Sequence, residues 1–197
     1  MKTAAKDKKP KLLDMELALV HYFGFRQNMI VPNISWGLFI HECDLLVVTS
    51  AGYAWEVEIK TSKADLKKDA EKPHQHRSNK IKRLYFAIPE HLGFCQNYIP
   101  ARAGILVVCP GGYVKKEREA VESESPYQFT PDDRQQVGRL ATMRIWTLKS
   151  RIREMRDAAE AKGIAKSSAQ QAATRLKPGA LMENGMHPVI GLNGEQI

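Results

Sequence analysis

Residues 55–69 read WEVEIKTSKADLKKD, and their pattern decides the fold. Trp55, Val57 and Ile59 alternate with Glu56, Glu58 and Lys60, so a strand puts three apolar side chains on one face and three charged ones on the other. Burying unpaired charge costs several kcal/mol, so the charged face must be solvated, neutralised by partners, or kept for chemistry. The chain then turns polar. Ser62 followed three residues later by Asp65 is a capping-box variant that opens a helix.

Upstream, FIHECDLLVVTS (39–50) is apolar and β-branched, SAGY is a turn signal, and AWEVEIKTS returns as a strand. Residues 39–61 therefore read as an antiparallel hairpin, and its loop length sets the register. A three-residue loop, Ser50 to Gly52, pairs Thr49 with Tyr53 and brings Asp44 opposite Glu58. A two-residue loop would oppose Asp44 to Ile59 and turn the aspartate to the other face. In the first register two carboxylates share a hard cation, Mg²⁺ or Mn²⁺. Lys60, on the same face, then orients water or stabilises charge on a phosphate. That set suits phosphodiester hydrolysis. The competing reading is a surface ladder of ion pairs.

Further out, Leu12, Met15, Leu19, Val20 and Phe23 have helical spacing, Glu16 lies on that helix, and Gly24 stops it. QNMIVPN reads as a short strand. LYFAIP (84–89) and AGILVVCP (103–110) are apolar strands covered on both faces. Residues 116–129 are polar and read as a linker. Thr130 and Pro131 open another helix, expected over 130–162 with the chain flexible beyond Gly163. Ala141, Ile145, Leu148, Ile152, Met155 and Ala159 make an apolar seam along it, which either packs back on the domain or meets a partner helix, as in a homodimer.

With 197 residues, 43% of them apolar, the chain suffices for one domain and an appendage. No apolar run reaches membrane-spanning length, and the Lys-rich start precedes no signal-like segment. Three cysteines without paired spacing suit reduced thiols and a cytoplasmic setting. The net charge of +8 is concentrated: residues 61–83 hold eight basic against three acidic groups, and residues 134–177 eleven against three. Such blocks suit either a polyanion or a solvated helix surface. Lys63, Lys67, Lys72, His74, His76, Arg77 and Lys80 are the candidate contacts to a DNA backbone. His41 with Cys43, and His74 with His76, lack second pairs at zinc-site spacing. Trp36, Trp55, Phe39 and Tyr85 read as core or site wall, and Glu56 as a solvated neighbour or a support to the ligands.

CDLLVV…WEVEIK resembles the core signature of the PD-(D/E)xK nuclease superfamily. EIKTSKADLKKDAEK, YFAIP and IPARAGILVV in that order are most similar to its MmcB-like DNA repair branch, over residues 12–115. The resemblance implies an α/β, restriction-endonuclease-like core: a mixed central sheet flanked by helices, here with a C-terminal helical extension. It implies a Mg²⁺-dependent deoxyribonuclease in which Asp44, Glu58 and the Ile59 carbonyl bind the metal. Lys60 would be the catalytic lysine and Glu16 an assisting acid. Asp65, Asp69 and Lys72 match downstream polar positions of that branch, with Asp65 a support behind the ligands. The aromatic segment usual after that lysine is replaced by PHQHRSNK, and Cys109-Pro110 stands where an aspartate is expected.

Overall fold

A computed structural model describes residues 10–34, 37–72 and 76–175, with side chains up to Ile164. Helix α1 (Leu12–Tyr22) leads into strands β1 (Met29–Ile34), β2 (Cys43–Val48) and β3 (Ala54–Ile59). Helix α2 (Lys63–Ala70) crosses to β4 (Ile81–Pro89). A 3-10 segment (Glu90–Tyr98) precedes β5 (Gly104–Val108), β6 (Val114–Arg118) and α3 (Pro131–Arg175). The six strands lie side by side in chain order. β1/β2, β2/β3 and β5/β6 pair antiparallel, β3/β4 and β4/β5 parallel. The sheet is therefore mixed and flanked by helices, as expected.

Helices α1 and α2 and the start of α3 bury apolar side chains against the sheet. Met15, Ala18 and Leu19 of α1 pack with Phe23 on Leu45, Val47, Val57 and Ile59. On the opposite face of the sheet, Leu66 of α2 joins Leu84, Phe86, Leu92 and Ile105. Val137 and Leu140 from the start of α3 join Phe129, Val31, Leu46 and Val48 on that face. Helix α2 begins as its sequence dictates, the Asp65 N–H donating to Ser62 Oγ at 3.1 Å. Two glycines are needed where they stand. Gly52 sits at φ +86° in the β2–β3 loop, and a Cβ at Gly104 would collide with the Tyr85 ring. Strand β1 is an edge strand and tolerates Pro32, which lies opposite Leu45.

The expected linker is part of the domain. Residues 114–118 form β6, Val121 N–H donates to Arg102 O at 2.9 Å, and Phe129 N–H to Gly52 O at 2.8 Å. Tyr53 and Gln128 make an antiparallel bridge. Helix α3 opens on Thr130, whose Oγ1 accepts from Asp133 N–H at 3.2 Å, and it runs through Gly163 to Arg175 rather than ending near 162. The chain divides into two compact units, Met1–Thr147 and Leu148–Ile197. In the first, Val137 and Leu140 are buried but Ile145 is exposed; in the second, Leu148, Ile152 and Met155 are exposed. Of the seam residues in the first unit, Ala141 packs against the core and Ile145 does not. Residues 176–197, expected as a flexible tail, lie outside the described residues. Cys43, Cys95 and Cys109 are free thiols. Among the described residues no helix is long and apolar enough to cross a membrane.

Candidate functional site

The β2–β3 hairpin closes through Ser50, Ala51 and Gly52: Thr49 N–H donates to Tyr53 O at 2.9 Å, and Gly52 N–H to Thr49 O at 2.8 Å. Leu45 pairs with Val57 and Leu46 with Glu56, and the next step of that register sets Asp44 opposite Glu58. This is the odd loop count on which a shared Asp44–Glu58 site depends. Asp44 Oδ2 accepts the Ile59 N–H at 2.7 Å. Lys60 N–H instead points to Ala87 O on β4, at 2.9 Å. Backbone alternation therefore turns the Ile59 N–H and C=O toward the Asp44 side.

Around Asp44 the carboxyls repel one another. Glu16 reaches in half-buried from α1, and burial and then the Asp44 charge raise its pKa. Burial also raises that of Glu58; Lys60 counters this and Asp44 adds to it. The Asp44, Glu58 and Glu16 carboxyls, near the Ile59 carbonyl, offer oxygen ligands of the kind a hard divalent cation takes.

Behind Glu58 lies a charged cage. Glu56, Glu58 and Lys60 are 0%, 2% and 5% exposed, against the expectation of a solvated Glu56. Glu56 stands between Leu46 and Leu84 on the neighbouring strands, and Glu58 beside Phe86. Lys60 Nζ is 2.6 Å from Glu58 Oε2 and 2.8 Å from Asp69 Oδ1. Asp69, supplied by α2, also meets Lys72 Nζ at 2.8 Å through Oδ1 and His76 Nε2 at 2.6 Å through Oδ2. Glu56 Oε1 receives His76 Nδ1 at 2.6 Å and His41 Nε2 at 2.7 Å.

Both His76 nitrogens face carboxylates, so both donate and the ring is an imidazolium. Burial opposes that charge, but the bonds to Asp69 and Glu56 prevail and carry its pKa up to about 9. Burial likewise favours neutral Lys60, and Glu58 and Asp69 hold it protonated nonetheless. Asp69 stays ionised despite its burial because His76, Lys60 and Lys72 bind it. Three carboxylates (Glu56, Glu58, Asp69) thus balance three cations (Lys60, Lys72, His76), and that balance makes the burial tolerable.

Among the described residues, two trios bring metal-ligating atoms within 4.8 Å of one another: His41, Glu56 and His76, and Glu58, Asp69 and His76. Neither includes Asp44. A doubly donating His76 has no lone pair for a metal, so both trios are ionic contacts of the cage.

The expected phosphate contacts divide. Lys63, Lys67 and Arg77 are exposed, and Lys72 is half-exposed over Asp69. Lys80 lies 3.4 Å from Asp133 and within 6 Å of the Tyr127 and Phe129 ring centroids, so it braces the start of α3. His76 must be withdrawn from that set: it is 1% exposed and engaged on both sides. His74 lies outside the described residues, as does Trp36. Phe39, expected in the core or a site wall, is 96% exposed. Asp65 serves the cap of α2, and among the described residues no contact links its side chain to Glu58 or Lys60. Reading the sequence missed the cage role of His41 and His76, since their partners Glu56 and Asp69 are 15, 20 and 7 residues away. The available signal was Glu56 itself, a carboxylate in the middle of a strand.

A mixed six-stranded sheet with flanking helices and a charged group buried on one strand defines an α/β protein. Residues 40–180 match the MmcB-like family of DNA repair proteins, and the chain belongs to that family. The match extends well past residue 115, so α3 is part of the family pattern. Among solved structures, a protein of unknown function from Silicibacter pomeroyi is similar in fold. Its TM-score is 0.51 at 17% identity, over 77% of this chain and 94% of that one. No curated protein matches the chain.

Proposed function

We propose that this member of a DNA repair family is a divalent-metal-dependent nuclease that hydrolyses DNA phosphodiester bonds. The observation that carries the reading is the hairpin register, with Asp44 opposite Glu58 and Lys60 Nζ 2.6 Å from the Glu58 carboxylate. Asp44, Glu58 and the Ile59 carbonyl would hold Mg²⁺ or Mn²⁺, and Glu16 would assist. When bound, the ion supplies an activated water and neutralises phosphate oxygens. Asp44, fixed by the Ile59 N–H, keeps its second oxygen for a ligand. Lys60, kept protonated by Glu58 and Asp69, offers a fixed positive charge to the phosphate. Exposed Lys63, Lys67 and Arg77 would hold the DNA backbone without reading its sequence.

The test is incubation of single-stranded, duplex and branched DNA with Mg²⁺, Mn²⁺ or EDTA. Cleavage is expected with either metal, lost in EDTA and lost in Lys60→Ala while binding persists. A chain that binds DNA but cuts none of these substrates refutes the enzyme.

One observation favours a second reading, a non-catalytic DNA-binding accessory protein. Lys60 is buried between two carboxylates, as a purely structural lysine would be. The exposed seam of α3 supports a homodimer as part of either reading. Sedimentation of a chain ending at Thr147 tests it without removing the buried Val137 and Leu140, and an unchanged number of subunits would remove the helix beyond Thr147 as the contact.

A further inference from the structure

On the α2 side of the sheet a cleft of about 600 Å³ opens beside the cage, lined by Asp69, His76, Arg77, Tyr98, Pro100 and Arg102. Its two ends differ in chemistry. At one end Tyr98 closes the 3-10 segment, and Lys63 and Lys67, one helical turn apart on α2, hold their ammoniums 5.7 and 5.6 Å from its ring centroid. At the other end Arg102 Nη2 donates to the His76 carbonyl at 2.8 Å, and exposed Arg77, next in the chain after His76, lines the same cleft. Burial lowers the Arg102 pKa, the Glu56 charge counters this, and the Arg77 charge adds to the lowering, so the two cations repel. A second hollow of about 510 Å³ shares both arginines and continues past Ser78, Asn79 and Lys82. The arginine pair therefore stands between two hollows, open to an extended ligand on either side.

Two arginines lining one cleft suit an oxyanion, because a phosphate accepts paired N–H bonds and relieves their repulsion. An aromatic ring flanked by flexible cations suits a base with a phosphate on each side, since a stacking base displaces the ammoniums onto the backbone. Duplex DNA hides its base faces; a single strand presents them.

We propose that this cleft receives a nucleotide of single-stranded DNA, its phosphate on Arg77 and Arg102 and its base on Tyr98. The proposal rests on the DNA-directed reading above and adds the strandedness of the substrate and two residues, Tyr98 and Arg102. The cleft floor, Asp69 and His76, contacts Lys60 directly or through one carboxylate, so a strand seated here lies next to the lysine of the proposed nuclease site.

The test is fluorescence anisotropy with a labelled thymine-rich oligonucleotide, single-stranded or annealed to its complement, in EDTA so that binding is read without cleavage. The full chain should bind the single strand about tenfold or more tightly than the duplex. Tyr98→Ala should weaken single-strand binding about tenfold, as loss of one stacked base does, and Tyr98→Phe should restore it. Arg77→Ala should weaken single-strand binding and reduce its salt slope by about 0.7, the share of one phosphate contact. Arg77 and not Arg102 is altered because Arg102 also holds the His76 loop, and thermal melting checks that each variant is folded. Equal affinity for duplex and single strand, or full affinity in Tyr98→Ala, overturns the cleft. If DNA is still cleaved in Mg²⁺ while Tyr98→Ala binds normally, only the cleft fails. If no DNA binds at all, the cleft and the DNA-directed reading fall together.

Discussion

Val57 and Glu56 are neighbours on one strand, and neither reaches water. The two faces of β3 are buried almost equally, Val57 and Ile59 at 0% and 4% exposed, Glu56 and Glu58 at 0% and 2%. One face is dry hydrocarbon against α1, held by area alone; the other carries a balanced set of six charges, five of them buried, between two apolar clusters. Burial of hydrocarbon is favourable wherever it is placed. Burial of carboxylates is favourable only when each finds its cation at hydrogen-bond distance, so the second face depends on geometry in a way the first does not. A fold under selection for stability alone would have no reason to place charges there, and so this face is the one to examine for chemistry.

The comparison breaks most sharply at Asp69, which touches Lys60, Lys72 and His76 at once. Asp69→Ala strands three cations and should cost about 3–5 kcal/mol in urea unfolding. A loss below about 1 kcal/mol would mean that the cage contributes nothing to the fold. A smaller effect should come from pH. The folded His76 pKa, about 9, lies above its ordinary value of 6.5. Its contribution to stability is therefore complete below about pH 6.5 and is lost as pH rises through 9. The melting temperature should fall over that window, and the fall should be weaker in His76→Gln. The smallest change is expected on the apolar face, where Ile59→Val removes one methylene from the α1 cluster and should cost about 0.5–1.5 kcal/mol. If Ile59→Val proves as damaging as Asp69→Ala, the two faces do not differ in their dependence on geometry.

How much of this could be read beforehand follows from what each feature depends on. The strand, the hairpin and the Asp44–Glu58 register were legible because alternation and loop count are local arithmetic on adjacent residues. The start of α2 was legible for the same reason, Ser62 and Asp65 being three residues apart. The cage was not. It joins His41, Glu56, Asp69 and His76, from a loop, a strand, a helix and a second loop, and no spacing encodes their meeting. The end of β6, residues 116–118, passed for linker because it is polar and only Val114 of the strand's five residues is buried. On an edge, the polar face outweighs the pattern. The seam of α3 was correctly periodic, but period alone does not say which of its residues are covered: in the first unit Ala141 is partly buried and Ile145 is exposed.

Pro32 bears on how the molecule behaves at high concentration. The sheet is open, and each margin could in principle template a strand from another copy. At the β1 margin Pro32 has no N–H to offer a newcomer. At the β6 margin Lys115, Lys116 and Glu117 stand exposed, and an incoming strand would have to strip their water. One border thus lacks a donor and the other is guarded by hydration, so fibril-like stacking is discouraged at both ends by different means.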